Sequence, residues 1–244
     1  MGQLACRAGR MDFCMNSFSR TLNLTVGLIL CSLMLSHLVV AQSMSKPEEI
    51  EWTWEVRPPH PNPKLPNVLL LGDSITRNYF PEVTKDLAGA ANVYLMASST
   101  CSGDPRLPHQ IAEFAALEGV RFQVVHFNNG MHGWSYSEEE YRQGFSGLLS
   151  AVQRLTGPGG MLIWATTTPV EDHAPGGATN TRIDARNAIA DLLVRAEHIK
   201  IDDQHALMLK HQDLHQDPVH FSPAGSALEG DQAAGLIRRA LSAH

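Results

Sequence analysis

The chain has 244 residues and a net charge of -6, so it carries no basic surface of the kind that nucleic-acid phosphates demand, and nucleic-acid binding is excluded as a reading. Its 43% hydrophobic content belongs to a globular α/β protein, not a disordered or fibrous one. The length allows one domain whose core needs no staples, with a short extension.

Residues 1–41 read as a targeting segment. Arg7, Arg10 and Arg20 precede an uncharged apolar run from Leu22 to Ala41, and Val39-Val40-Ala41 before Gln42 fits a cleavage site. The expectation is export, periplasmic or secreted, with Met11 or Met15 as possible true starts. The alternative is retention of Leu22 to Ala41 as a membrane anchor. Cys31 follows Leu30, where a lipoprotein signal wants a small residue, so lipidation is not expected. Cys6, Cys14 and Cys31 fall in this leader, which leaves Cys101 alone and no internal disulfide in the mature chain. Residues 42–66 read as an extended N-terminal arm. Glu48 to Pro66 holds five prolines and the Trp52/Trp54 pair, and is expected to lie on the surface of a domain spanning 67–244.

From Asn67 onward strand and helix patterns alternate, as in a parallel sheet. Asn67-Val68-Leu69-Leu70-Leu71 reads as a buried strand, stopped by Gly72-Asp73-Ser74-Ile75-Thr76. Carboxyl ends of parallel strands are where ligands bind, so Ser74 stands where a nucleophile is useful, although Gly-Asp-Ser is also ordinary turn and cap chemistry. A short helix is expected at Phe80 to Leu87, a strand at Val93 to Met96, and a small polar loop from Ala97 to Pro105. Leu107 to Leu117 is a helix. Phe122 to Phe127 is a strand running into Asn128-Asn129-Gly130-Met131-His132-Gly133-Trp134.

Ser137-Glu138-Glu139-Glu140 has capping-box spacing and opens a helix to about Leu155, ended by Gly157-Pro158-Gly159-Gly160. Met161 to Ala165 is the fourth strand, followed by Thr166-Thr167-Thr168-Pro169 and a polar loop, Glu171 to Asn180, long enough to wall a cleft. On the next helix, Arg182 to Glu197, the residues Arg182, Arg186 and Asn187 read as solvated, with substrate contact as the alternative. A fifth strand near Ile199-Lys200-Ile201 leads to His205, His211, His215 and His220. His211-x-x-x-His215 with Asp213 and Asp217 has metal-ligand character, but Pro218 breaks the helix such spacing needs. Asp217-Pro218-Val219-His220 instead offers a carboxylate and an imidazole on one short loop, the base and orienting group that a serine requires. Ser222-Pro223 then reads as N-cap and first residue of a closing helix that runs to Ala243.

Gly72-Asp73-Ser74-Ile75 near the domain start and Asp217-x-x-His220 near its end resemble the first and last blocks of the SGNH (GDSL-type) hydrolases, over residues 67 to 240. The resemblance implies a flavodoxin-like three-layer α/β/α sandwich with a parallel five-stranded sheet. It also implies esterase chemistry through Ser74, His220 and Asp217, with no cofactor. It makes Gly103 the candidate backbone donor to the oxyanion beside the Ser74 amide. In the third block the family has Gly-x-Asn-Asp, and this chain departs from it: His132 of Gly130-Met131-His132-Gly133 stands at the Asn position, while another register gives that role to Asn129. Small acyl esters, acetylated carbohydrate among them, are the implied substrates. A carbohydrate-binding module without turnover and an acyltransferase to sugars remain alternatives. A cleaved leader implies no stable membrane contact, and the oligomeric state is open.

Overall fold

The computed structural model describes residues 44–243. The targeting-segment expectation for residues 1–41 lies outside them. Six strands form one sheet: β1 (Thr53–Val56), β2 (Asn67–Gly72), β3 (Asn92–Ser98), β4 (Phe122–Phe127), β5 (Thr156–Ala165) and β6 (Lys200–Asp202), in the spatial order β1-β3-β2-β4-β5-β6. The five strands β3, β2, β4, β5 and β6 are mutually parallel. Their order is the flavodoxin-like one, in which the first parallel strand takes an interior place and the second lies outside it.

Period-two alternation along β2 explains the layering. Val68 and Leu70 face one side, where α1 (Ser74–Asp86) and α6 (Pro223–Leu241) pack through Ile75, Val83, Ala233 and Ile237. Leu69 and Leu71 face the other side, covered by α2 (Leu107–Glu118), α3 (Glu138–Leu155) and α4 (Asn180–Ala196) through Ile111, Phe145, Val152 and Val194. All four of these β2 side chains are buried, each worth about 1.5–3 kcal/mol over exposure. A short helix, α5 (Gln204–Met208), follows β6.

Three expectations are corrected. The sheet has a sixth strand, because Thr53–Val56 within the arm pairs antiparallel with β3, from Thr53 against Ser98 to Val56 against Leu95. Its residues are largely exposed, so no hydrophobic pattern announced it. The first helix begins at Ser74, not Phe80, because the Asp73 carboxylate accepts from the Ile75 amide and caps it; Pro81 is carried inside the helix. Finally β5 begins at Thr156, opposite Phe122, and the pairing shifts so that Met161 faces Val124; the glycine-rich stretch lies inside the strand as an irregularity. The capping box at Ser137 and Glu140 and the Ser222 cap with Pro223 in the first turn of α6 form as expected. Among the described residues no helix is long and apolar enough to cross a membrane.

Candidate active site

The nucleophile candidate sits on a turn with no slack. β2 ends at Gly72, Asp73 caps, and Ser74 is the first residue of α1, a position whose N–H has no intrahelical partner. A Cβ on Gly72 would lie 2.1 Å from the Thr76 hydroxyl, so only glycine lets the helix fold back this closely on the strand. Ser74 is 8% exposed.

His220 arrives from the loop before α6. Its Nε2 lies 2.7 Å from the Ser74 Oγ, and its Nδ1 lies 2.9 Å from Asp217 Oδ2 and 3.1 Å from Oδ1. An ionised carboxylate only accepts, so Nδ1 carries the proton and Nε2 offers its lone pair to the serine hydroxyl. The loop is tightly laced. Asp217 Oδ1 accepts the Val219 and His220 amides, the Gln216 and Asp217 amides donate to the His220 carbonyl, and Glu171 N–H donates to Pro218 O. Burial pushes the Asp217 carboxyl up, but the His220 and Val219 amides and the imidazole outweigh it and hold the group below its usual range. The structure therefore brings Ser74, His220 and Asp217 together as the sequence proposed. His211 and His215 join no metal-binding constellation: His215 stacks on Phe221 at 4.1 Å, and among the described residues the one convergent acidic group is Glu82, Asp86 and Asp231.

The candidate oxyanion donors separate. Gly103 is packed under Tyr136, where a Cβ would meet the ring at 2.8 Å, and does not line the cleft that holds Ser74. Asn129 is buried, with its Nδ2 donating to Thr100 O and its Oδ1 accepting from the Ser102 hydroxyl, so its side chain serves the loop between β3 and α2. Asn128 is likewise turned inward, donating to Ala165 O and Thr167 Oγ1. His132 does line the cleft beside Ser74 and His220. Its Nε2 is buried and has no hydrogen-bond partner among the described residues.

Three residues that pattern reading missed shape this loop. Arg186, read as solvated, is fully buried and donates to the carbonyls of Gly130, His132, Gly133 and Tyr136, with its guanidinium 4.1 Å from the Trp134 ring centre. Arg182 and Asn187 also turn inward, to Trp134 O and Tyr136 O and to the Thr167 backbone respectively. Glu48, in the arm, bonds His132 Nδ1 at 2.9 Å and accepts the Gly133 amide at 2.8 Å. A carboxylate from far upstream thus steadies the imidazole. Gly133 has φ of +69°, and its Cβ position is filled by Cys101 Sγ, so the loop conformation at this point requires glycine.

The cleft itself measures about 590 Å³ and is lined by Ile50, Met131, Trp134, Ala178 and Val219 around the Ser74–His220 pair, with Glu48 and Glu49 at the arm side.

No protein-family model matches the chain, and no curated protein matches it in sequence. Solved structures do match in fold. A carbohydrate esterase family 3 protein from Talaromyces cellulolyticus superposes with a TM-score of 0.58 at 15% identity, covering 74% of this chain and 100% of that one. A member of the lipolytic protein G-D-S-L family from Veillonella parvula gives 0.57 at 16% identity, over 71% and 98%. A putative SGNH hydrolase from Slackia heliotrinireducens gives 0.55 at 21% identity, over 71% and 100%.

Proposed function

We propose that this chain, which has the fold of the SGNH-type hydrolases, is a serine esterase that hydrolyses small acyl esters. The observation that carries the reading is the chain of contacts Ser74 Oγ to His220 Nε2 at 2.7 Å and His220 Nδ1 to Asp217 Oδ2 at 2.9 Å, opening on a cleft. In this reading Ser74 Oγ attacks the acyl carbon while its proton passes to His220 Nε2. The imidazolium, steadied by Asp217, then protonates the departing alkoxide oxygen, and water repeats the cycle on the acyl-serine to release the acid and free Ser74. The tetrahedral oxygen takes its stabilisation from the Ser74 amide and from His132; with the Asn129 side chain turned to Thr100 and Ser102, His132 is the side-chain donor of choice.

An acetyl group on carbohydrate is the narrower substrate proposal. Matching folds include an acetyl xylan esterase and an acetyl-xylooligosaccharide esterase from Geobacillus stearmophilus, and the cleft combines an indole, Trp134, with polar groups from the arm. No cofactor enters the proposed cycle. Export, from the Leu22 to Ala41 run, is proposed alongside; a mature N-terminus at or near Gln42 in a periplasmic fraction is the expected result, and an intact run recovered in membranes would mean an anchored enzyme.

The test is a panel of p-nitrophenyl acyl esters and acetylated sugars, with product identity separating hydrolysis from acyl transfer to sugar. Ser74→Ala is expected to leave only residual turnover, since losses of about a million-fold accompany such knockouts in other triads. Retention of more than a few per cent would sink the assignment, and binding of acetylated sugar without turnover would favour a carbohydrate-binding module. Chelation by EDTA is expected to change nothing; activity lost to EDTA and restored by zinc would return the metal reading.

A further inference from the structure

Glu48 bridges the two residues of the His132–Gly133 turn. Its Oε2 lies 2.9 Å from the imidazole Nδ1 and its Oε1 accepts the Gly133 amide at 2.8 Å, so one carboxylate fixes both the ring and the backbone that carries it. Trp52, also from the arm, meets the same ring edge-on with centroids 5.8 Å apart. The ring is thus held at Nδ1 and at one side, while the buried Nε2 has no partner among the described residues.

An ionised carboxylate accepts and never donates, so Nδ1 must keep its proton toward Glu48. A neutral imidazole in that tautomer presents a lone pair at Nε2, which repels a developing oxyanion. Only the imidazolium keeps the Glu48 bond and also donates from Nε2. We propose that Glu48 is a positioning residue that keeps His132 cationic, so that its Nε2–H is the donor to the ester oxyanion and the arm completes the site. The inference rests on the esterase reading above.

The charges around the ring agree with it. Glu48 and Glu51 face it from the arm, Asp73 from the turn before α1, and Arg186 donates to the His132 carbonyl from α4. Burial pushes the His132 pKa down, but the bond to Glu48 and the charges of Asp73, Glu48 and Glu51 outweigh it and place the ring above its ordinary value of 6.5. Burial likewise pushes Glu48 up, and its bonds to His132 and the Gly133 amide bring it below the ordinary 4.5. Within the proposal His132 acts as the cationic donor, held by Glu48, beside the Ser74–His220 pair.

The experiment is the pH profile of kcat on a p-nitrophenyl acyl ester in four variants of the full chain. In the wild type the alkaline limb reports His132 losing a proton. Glu48→Gln is expected to move the alkaline limb to lower pH and to reduce kcat at pH 8 by about ten- to a thousand-fold, the upper end being the loss of a whole oxyanion donor, with little change in KM. In a His132→Asn background, where an amide donates without charge, adding Glu48→Gln is expected to cost nothing more. Lys46→Ala removes the bond to Glu140 that ties down the same segment but leaves the Glu48 carboxylate in place, and is expected to cost little. Overturning results are an alkaline limb unmoved by Glu48→Gln, an equal loss in both His132 backgrounds, or a Lys46→Ala loss as large as that of Glu48→Gln. Turnover that survives Ser74→Ala unchanged marks a different failure, that of the esterase reading itself.

Discussion

At the scale of single residues, His132 is where this chain parts from the pattern it resembles. The family's amide donates without regard to pH; an imidazole needs its second proton and a partner to aim it. Deleting an oxyanion donor costs about a hundred- to a thousand-fold in kcat, or roughly 3 to 4 kcal/mol, because the interaction is made chiefly in the transition state. His132→Ala is expected to show that loss with KM nearly unchanged, and His132→Asn to recover part of it, as measured by steady-state kinetics on the preferred ester. A silent His132→Ala beside a crippled Asn129→Ala would transfer the role to Asn129, in spite of its bonds to Thr100 and Ser102. Ser74, Asp217 and His220 were legible because each belongs to a short block whose neighbours do local work: a cap, a turn, a proline. Glu48 was not, since it stands 84 residues before its partner and is one of several acidic residues in an unpatterned stretch.

Among the elements, α3 shows how packing reverses a propensity. Gly144 lies inside an 18-residue helix, where replacing glycine by alanine ordinarily gains about 0.5–1 kcal/mol. Here a Cβ would sit 1.8 Å from the Ser102 carbonyl oxygen and 2.9 Å from the Gly103 Cα. Both are backbone, on the loop between β3 and α2, and neither can swing away as a side chain could. Gly144→Ala is therefore expected to destabilise, by about 1–3 kcal/mol as for other overpacked sites, read as a lower denaturant midpoint. A higher midpoint would mean that the loop yields freely. Gly103 itself is packed between Tyr136 and α3, a demand for smallness that the primary structure does not display.

For the molecule as a whole, the region behind Ser74 stores a pH dependence. Glu229 of α6 is buried, with both carboxylate oxygens unpartnered among the described residues. Burial first, then the charges of Asp73 and Asp202, push its pKa well above 4.5. A folded-state pKa raised above the unfolded one means that the folded chain keeps a proton that the unfolded chain releases. Stability falls as pH rises beyond about 4.5 and goes on falling until the folded-state pKa is reached. Glu229→Gln, which mimics the protonated form, is thus expected to match the wild type near pH 4.5 and to exceed it in thermal stability at pH 8. An equal difference at both pH values would show that Glu229 is ionised in the fold.

By itself the sequence determined what depends on near neighbours. The alternation in Val68-Leu69-Leu70-Leu71 specified a strand covered on both faces, the caps at Ser137 and Ser222 specified helix starts, and the Asp217 to His220 spacing specified a carboxylate set against an imidazole. Tertiary structure decided what depends on residues distant in the chain. The pairing of Thr53–Val56 with β3 made an arm into a sheet edge and carried Glu48 to His132, while Arg186 was drawn inward to the carbonyls of the loop after β4. The physical reason is common to both cases. Charged and polar side chains have no periodicity that announces burial, and whether a carboxylate or a guanidinium meets solvent or a buried partner is settled only when other elements have closed around it.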